Sequence, residues 1–239
     1  MLDDPLSLPA RASVTATTWV LVAASRRALF KGSPSRGSRA TVALLYSAWL
    51  VSTAFSYVPA LVRTLGAVFP VGLALGMTAA LASLWSPAAR RAFDSLDDGE
   101  VRALLSFRAI YGALLVALAS IGHFPVSFGL AAGLGDLVIG WAALAMPVRL
   151  GADGPPWARL VVHGAGLVDL AMVLVMATTV VRPWSLAHGN AATTTALPWV
   201  AVPLMFALNA HGVRRAARAF AEAVGGGSQP ARRVRGAVP

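Results

Sequence analysis

Long apolar stretches dominate this sequence and constrain its fold more than any other feature. A helix that crosses the roughly 30 Å hydrocarbon core of a bilayer needs about 20 mostly apolar residues. The sequence therefore predicts an all-α, polytopic membrane helix bundle. Six stretches meet the requirement and predict six transmembrane helices, at residues 40–62, 65–85, 104–121, 127–148, 158–181 and 197–213.

The composition agrees with a membrane protein and excludes several other classes. Charged residues make up 13% of the 239-residue chain and apolar residues 57%, against about 25% and about 45–50% in soluble domains. Because the chain has no cysteine, disulfide scaffolds, cysteine zinc sites and thiol enzymes are excluded. The net charge is +10, but the basic residues lie between the apolar stretches and do not form a basic face, so we predict no nucleic-acid partner.

The ends of the chain differ from its middle. The apolar stretch from Ser13 to Ala24 has about 12 residues and reaches only some 18 Å as a helix, which predicts an N-terminal interfacial helix. We predict three parts: a cytoplasmic N-terminal segment (1–39), the transmembrane domain (40–213) and a basic flexible cytoplasmic tail (214–239). The basic loop 31–39 and the tail are expected to contact anionic lipid headgroups.

The basic residues also predict the orientation. Arginine and lysine accumulate on the cytoplasmic side of short loops. Under the six-helix scheme nearly all of them fall on one side, and only Arg63 and Arg182 fall on the other. Both termini are therefore predicted to be cytoplasmic, in the inner (plasma) membrane of a bacterial cell. If residues 13–30 cross the membrane instead, only the N-terminus changes side.

Ionisable residues inside predicted spans are candidates for function, because burying a charge in a bilayer is costly. Asp136 and Asp169 lie about 11–12 residues from the cytoplasmic ends of helices 4 and 5, some 16–18 Å deep. A six-residue motif, AGLGDL at 132–137 and AGLVDL at 165–170, recurs on these two antiparallel helices, as inverted segments do at transporter sites. The two carboxylates are expected to face each other near the midplane.

Arg108 and Tyr111 share one face of helix 3 and complete the predicted proton- or cation-binding site with Asp136 and Asp169. Arg108 is expected about one turn inside the cytoplasmic end of its helix. It either extends to the interface or pairs with a buried acid or an anionic ligand. The simpler alternative for each aspartate is a hydrogen bond that holds a neighbouring helix.

Four histidines leave a haem protein open as an alternative. His163 and His211 are predicted near the cytoplasmic side, and His123 and His188 near the other. Each pair offers the two axial ligands that one haem b requires.

Glycines predict close helix packing. Gly129, Gly133 and Gly140 share one face of helix 4 with Asp136, and this face is expected to pack against another helix. Gly72 and Gly76 form a second such face on helix 2. The glycines are used either within one chain or between copies in a homo-oligomer, or with a membrane partner.

Two short sets of motifs resemble known families. Residues 107–215 resemble a group of uncharacterised bacterial multi-pass membrane proteins, through FRAIYGALL (107–115), PVSFGLAAGLGDLVIG (125–140), GLVDL (166–170) and LPWVAVPL (197–204). That resemblance implies the architecture alone. The segment GLGD (133–136) resembles the GxGD motif of intramembrane aspartyl proteases, which implies two aspartates sharing a proton. Those enzymes have the partner aspartate on an earlier helix, whereas Asp169 comes later.

Several enzyme classes lack their residues. The single lysine, Lys31, lies outside every predicted span, which excludes a retinal protein, and the chain has no HExxH, P-loop or GxSxG motif. The leading hypothesis is a plasma-membrane protein whose aspartate pair serves proton- or cation-linked transport. The alternatives are a haem b electron carrier, a structural or partner-binding membrane subunit, and an intramembrane aspartyl protease.

Overall fold

A computed structural model describes residues 73–122, 124–150, 154–188 and 201–226 of the chain. These residues are helical, with short turns, and no strand occurs among them. A π-helical segment, Ala177–Val181, connects the helices Pro156–Met176 and Arg182–His188 without a break. The helices are α1 (Leu73–Ser83), α2 (Pro87–Asp94), α3 (Asp98–Ser120), α4 (Val126–Ala145), α5 (Pro156–Met176), α6 (Arg182–His188) and α7 (Val202–Gly226).

The start of α3 differs from the prediction. The helix begins at Asp98 and not at residue 104, because the acidic run before it caps the helix. Asp97 accepts a hydrogen bond from Glu100 N over 2.8 Å, and the Glu100 carboxylate accepts one from Asp97 N over 3.0 Å. This capping box satisfies two amide groups of the first turn and lets charged residues begin the helix.

Helices α3 and α4 form an antiparallel pair with the most extensive contact in the described structure. A Cβ at Gly133 would lie 2.8 Å from the carbonyl oxygen of Gly112, and one at Gly129 would lie 2.9 Å from that of Leu115. Gly140 packs in the same way on Ala109. The predicted packing of this glycine face against another helix is confirmed, and the partner is α3 of the same chain.

Arg102 fastens the start of α3 to the end of α4. Its Nη1 donates to the carbonyl oxygens of Ala143 and Met146 over 2.7 and 2.9 Å, and its Nη2 donates to that of Val148. These bonds satisfy carbonyl groups that the end of α4 leaves without helical partners. The same end of the bundle therefore holds the start of α3 and the end of α4.

Three helices are long and apolar enough to cross a membrane: Asp98–Ser120, Val126–Ala145 and Pro156–Trp184. The third contains α5, the π-helical segment and the first turn of α6. Exposed side chains along these helices are largely apolar, as in Ile110, Leu134 and Val168. A lipid environment explains such faces, because soluble monomers rarely expose large apolar patches.

The remaining predicted spans are described in part or not at all. Helix 1 (40–62) and the interfacial helix lie outside the described residues. The predicted span 65–85 corresponds to α1, described from Leu73. The predicted span 197–213 corresponds to α7, which is described from Val202 and continues past residue 213 to Gly226.

Candidate functional site

A buried ionic triad joins three helices. Arg108 of α3 donates from Nε to Oδ1 of Asp136 on α4 over 2.6 Å, and from Nη2 to Oδ2 of Asp169 on α5. Its Nη1 donates to the carbonyl oxygen of Gly166, 3.2 Å away on α5. Each nitrogen of the guanidinium group therefore has an acceptor on a neighbouring helix.

The triad is buried and its charges do not balance. The Arg108 side chain is 1% exposed, and those of Asp136 and Asp169 are 12% and 10% exposed. One guanidinium and two carboxylates carry a net charge of −1 when all three are ionised. The sequence predicts that the two carboxylates face each other, whereas in the structure Arg108 binds both of them. Of the two alternatives for Arg108, the structure shows the pairing with buried acids.

The three charged groups lie at comparable distances from one end of the bundle. Arg108 is ten residues from the start of α3, and Asp136 is nine residues from the end of α4, or about 15 and about 14 Å. Asp169 is thirteen residues from the start of α5, about 20 Å. The expectation that Arg108 lies one turn inside its helix is wrong, because α3 begins at Asp98.

Glycines make the space for this triad. A Cβ at Gly135 would lie 2.8 Å from Cγ of Asp169 and would collide with its carboxylate. A Cβ at Gly166 would lie 3.0 Å from Nη1 of Arg108. Each copy of the AGLxDL motif therefore supplies one aspartate, and also one glycine that lets a charged side chain approach the helix backbone.

A second polar pair adjoins the triad. His163 Nδ1 lies 3.1 Å from Asn209 Oδ1, and Asn209 Nδ2 donates to the carbonyl oxygen of Met205 over 2.8 Å. His163 and Asn209 are both 0% exposed. The pair and the triad meet at Gly166, where a Cβ would lie 2.7 Å from Asn209 Oδ1. Polar groups thus extend from α4 to α7.

Asn209 was missed from the sequence, although a signal for it exists. An amide side chain within a predicted span requires an internal partner, for the same reason that a carboxylate does. Arg159 and Arg215 were also missed as buried residues, and they are 5% and 9% exposed. Both occur at ends of apolar stretches, where arginine usually faces lipid headgroups, so their burial has no sequence signal.

His211 belongs to a different set of contacts. Its Nε2 lies 3.1 Å from Oγ of Ser83, and its ring stacks on Phe93 with the centroids 4.3 Å apart. Tyr111 of α3 is 3% exposed and lies in the apolar core between the helices. His123 lies outside the described residues, and His188 is the last residue of α6.

The two described histidine rings do not provide a haem site in this arrangement. Among the described residues, His163 Nε2 and His211 Nδ1 have no hydrogen-bond partner, and both nitrogens are fully enclosed. The ring of His163 packs directly on Gly212. Axial ligation needs room at the ring nitrogen for the iron and its porphyrin, and neither nitrogen has that room.

Other ligand chemistries have a limited basis in the geometry. Within the described ranges, no group of three or more histidine, aspartate or glutamate side chains is placed to hold a metal ion. Catalytic aspartate pairs share one proton between adjacent carboxylates. Here the guanidinium group of Arg108 binds both carboxylates, so the geometry does not provide that arrangement.

Comparison with known proteins gives a family and no activity. Residues 67–215 match the profile of a domain of unknown function, DUF8737, and this segment is more than half of the chain. The chain belongs to this family. The family segment contains all three residues of the triad and ends at Arg215. No curated protein and no solved structure matches the chain.

Proposed function

We propose that this DUF8737 protein is an integral plasma-membrane protein that couples proton or monovalent-cation binding at the Arg108–Asp136–Asp169 triad to translocation across the bilayer. The observation that supports the proposal is the triad itself, two carboxylates bound by a single guanidinium group. Arginine keeps its proton at all physiological pH values. The triad is therefore neutral with one proton or monovalent cation bound, and carries −1 without it.

The cost of burying charge links this stoichiometry to transport. An uncompensated charge within a bilayer costs several kcal/mol unless it meets water or a counterion. The triad with a bound proton or cation is neutral and is compatible with a closed bundle. The triad without it carries −1 and favours a conformation that admits water. Protonating a carboxylate also weakens its bond to Arg108, which changes how α3 is held to α4 or to α5. Binding and conformation are thereby linked.

The proposed topology has six transmembrane helices with both termini in the cytoplasm of a bacterial cell. The start of α3, the end of α4 and the start of α5 lie at one end of the bundle, near Arg102 and Arg159. Arginines near the ends of transmembrane helices favour the cytoplasmic side. The triad then lies about 14–20 Å from the cytoplasmic ends of its helices.

Flux measurements in proteoliposomes test the proposal. The full-length protein is reconstituted around a pH-sensitive dye, and a potassium diffusion potential is imposed with valinomycin. We expect lumen acidification or alkalinisation faster than in protein-free liposomes, or the equivalent flux with a sodium-sensitive dye. Asp136→Asn and Asp169→Asn each leave a triad that is neutral without any ligand, so both variants are expected to fold and to lose the flux.

The matched control is Glu222→Gln, which removes an exposed carboxylate from α7 and is expected to leave the flux unchanged. Protein-free rates for both proton and sodium gradients in the wild type would contradict the proposal. Full flux in the Asp136→Asn/Asp169→Asn double variant would contradict it as well. The first result favours a structural subunit, whereas the second shows that the triad only holds helices together and that the flux uses other residues.

We also propose assembly into a homo-oligomer through Gly76 of α1 and its neighbour Gly72, which lies outside the described residues. Of the two glycine faces that the sequence predicts, the one on α4 packs within the chain, which leaves Gly72 and Gly76 as the candidates. Cross-linking in native membranes tests this, with Gly76→Leu as the variant and Gly164→Leu as the control. A dimer or larger species that persists in Gly76→Leu contradicts assembly through this face.

A further inference from the structure

Four arginines lie on α2, α5 and α7, outside the triad, and α7 contacts both of the other helices. They are Arg90 of α2, Arg159 of α5, and Arg214 and Arg215 of α7. The charges of Arg159 and Arg214 both act on Arg215, and those of Arg90, Arg214 and Arg215 act on His211. Two of the four are strongly buried, Arg159 at 5% exposed and Arg215 at 9%.

Contacts within the described structure neutralise only part of the positive charge of Arg90, Arg214 and Arg215. Arg214 Nη2 lies 2.6 Å from Oδ1 of Asp94, and Arg215 Nη1 donates to the carbonyl oxygen of Phe93 over 3.1 Å. Arg90 Nε donates to the carbonyl oxygen of Leu84 over 2.5 Å. Asp94 is the single carboxylate that these contacts supply from the described ranges. Three guanidinium groups against one carboxylate leave an excess of positive charge in a partly buried place.

The same cluster contains donors without acceptors. In the described part of the chain, Arg214 Nε, Arg214 Nη1 and Arg215 Nε are buried and have no hydrogen-bond partner. Leaving a buried charged donor without an acceptor is more costly than leaving a neutral one. Burial, followed by the neighbouring arginines, lowers the pKa of Arg215 despite the opposing effect of Asp94. An anion bound here would satisfy these donors and reverse that effect.

Two exposed tryptophans locate the cluster relative to a bilayer. Trp85 precedes α2 and is 68% exposed, and Trp157 lies two residues before Arg159 and is 52% exposed. Tryptophan side chains favour the headgroup level of a membrane. The arginines therefore lie near the depth at which lipid phosphates occur.

We propose that Arg90, Arg159, Arg214 and Arg215 form a binding site for a phosphate-bearing anion. Arginine suits this ligand because its planar fork donates two parallel hydrogen bonds to phosphate oxygens. The ligand comes from one of two sources, the phosphate of an anionic lipid headgroup or inorganic phosphate in the cytoplasm. Both offer the same oxygen acceptors to the donors of Arg214 and Arg215.

The experiment separates the two sources. The full-length protein is placed in nanodiscs of phosphatidylcholine, with or without phosphatidylglycerol, and thermal unfolding is followed while inorganic phosphate is added to the phosphatidylcholine sample. Native mass spectrometry of the released protein counts retained phosphatidylglycerol. A lipid ligand raises Tm only with phosphatidylglycerol and persists in the gas phase, whereas soluble phosphate raises Tm in the phosphatidylcholine sample.

The variants are Arg214→Gln and Arg215→Gln, with Arg218→Gln as the matched control because Arg218 is an exposed arginine on the same helix. We expect each variant to weaken apparent ligand affinity by about tenfold or more, while the control keeps the wild-type shift. Arg214 is less buried than Arg215, so Arg214→Gln provides the test if Arg215→Gln does not fold.

Two results would overturn the proposal. In the first, neither phosphatidylglycerol nor phosphate shifts Tm more in the wild type than in Arg214→Gln. In the second, an internal carboxylate proves to be the partner. Asp153 lies near Arg159 in sequence and outside the described residues, and Asp153→Asn would then lower Tm as much as Arg214→Gln does, with no response to either ligand.

Discussion

Nε of Arg108 lies 2.6 Å from Oδ1 of Asp136, and this ion pair lies where the backbones of α3 and α4 touch. Ala109, the residue after Arg108, packs on Gly140, and a Cβ at Gly112 would lie 2.7 Å from the amide nitrogen of Leu137, the residue after Asp136. The glycines thus bring together the two helix segments that carry the opposite charges. Close helix packing and charge pairing depend on the same few residues.

Removing the cation should cost more than removing either anion. Arg108→Gln leaves two buried carboxylates without a partner, and breaking a buried pair in this way destabilises a protein by about 3–5 kcal/mol. Asp136→Asn and Asp169→Asn each leave a balanced pair and should cost much less. Thermal unfolding in detergent measures the difference, with Arg91→Gln, an exposed arginine of α2, as the control.

A compensating variant separates charge from side-chain volume. Adding Asp136→Asn and Asp169→Asn to Arg108→Gln removes every charge of the triad while preserving its approximate size. Part of the lost stability should return, because no buried charge remains unpaired. If the triple variant is less stable than Arg108→Gln alone, the charge imbalance is not what destabilises the single variant.

Two glycines of α5, Gly166 and Gly164, allow a matched mutational test of the packing where the triad meets Asn209. Gly166→Ala places a Cβ 2.7 Å from Asn209 Oδ1 and 3.0 Å from Arg108 Nη1. Overpacking of this kind costs about 1–3 kcal/mol. Gly164→Ala meets nothing within 4 Å and should be neutral or stabilising by up to about 1 kcal/mol, since alanine favours a helix. Equal Tm values for the two variants would contradict the described packing at Gly166.

The three described spans and the glycine face of α4 could be predicted from the sequence, because each corresponds to a local sequence pattern. An apolar stretch of sufficient length predicts a span wherever it packs, and glycines at i, i+4 and i+11 define one face of one helix. The start of α3 was missed because residues 94–100 (DSLDDGE) have the composition of a solvated turn. Its Asp97 and Glu100 have the spacing of a capping box, and that spacing indicates that the helix begins at Asp98.

The geometry of the site was less accessible from the sequence. Helical spacing gives the depth of Asp136 and Asp169, but their mutual position depends on how α4 and α5 rotate against α3. The guanidinium of Arg108 reaches both carboxylates, and its helix starts six residues earlier than predicted, so Arg108 lies ten residues from the helix start instead of four. The rotation of each helix follows from packing across the whole bundle, and no local pattern encodes it.

The capping box at the start of α3 predicts a modest and specific loss of stability. Asp97→Ala removes the acceptor of the Glu100 amide and should destabilise the protein by about 1 kcal/mol. Asp97→Asn retains a capping side chain and should cost only a few tenths of a kcal/mol. Thermal unfolding of the two variants side by side measures this. An Asp97→Asn variant as unstable as Asp97→Ala would show that the negative charge at this position matters more than the cap.

The contact between His163 and Asn209 predicts coupled effects of mutation. Asn209→Ala leaves His163 Nδ1 without its partner in a fully buried place, which should cost about 1–3 kcal/mol. His163→Leu leaves Asn209 Oδ1 in the same state, so the double variant His163→Leu/Asn209→Ala should lose less stability than the two single losses added together. Unfolding measurements on the four proteins give the coupling energy, expected at about 0.5–3 kcal/mol. Additive losses would show that the two side chains do not depend on each other, and the polar cluster would then end at Gly166.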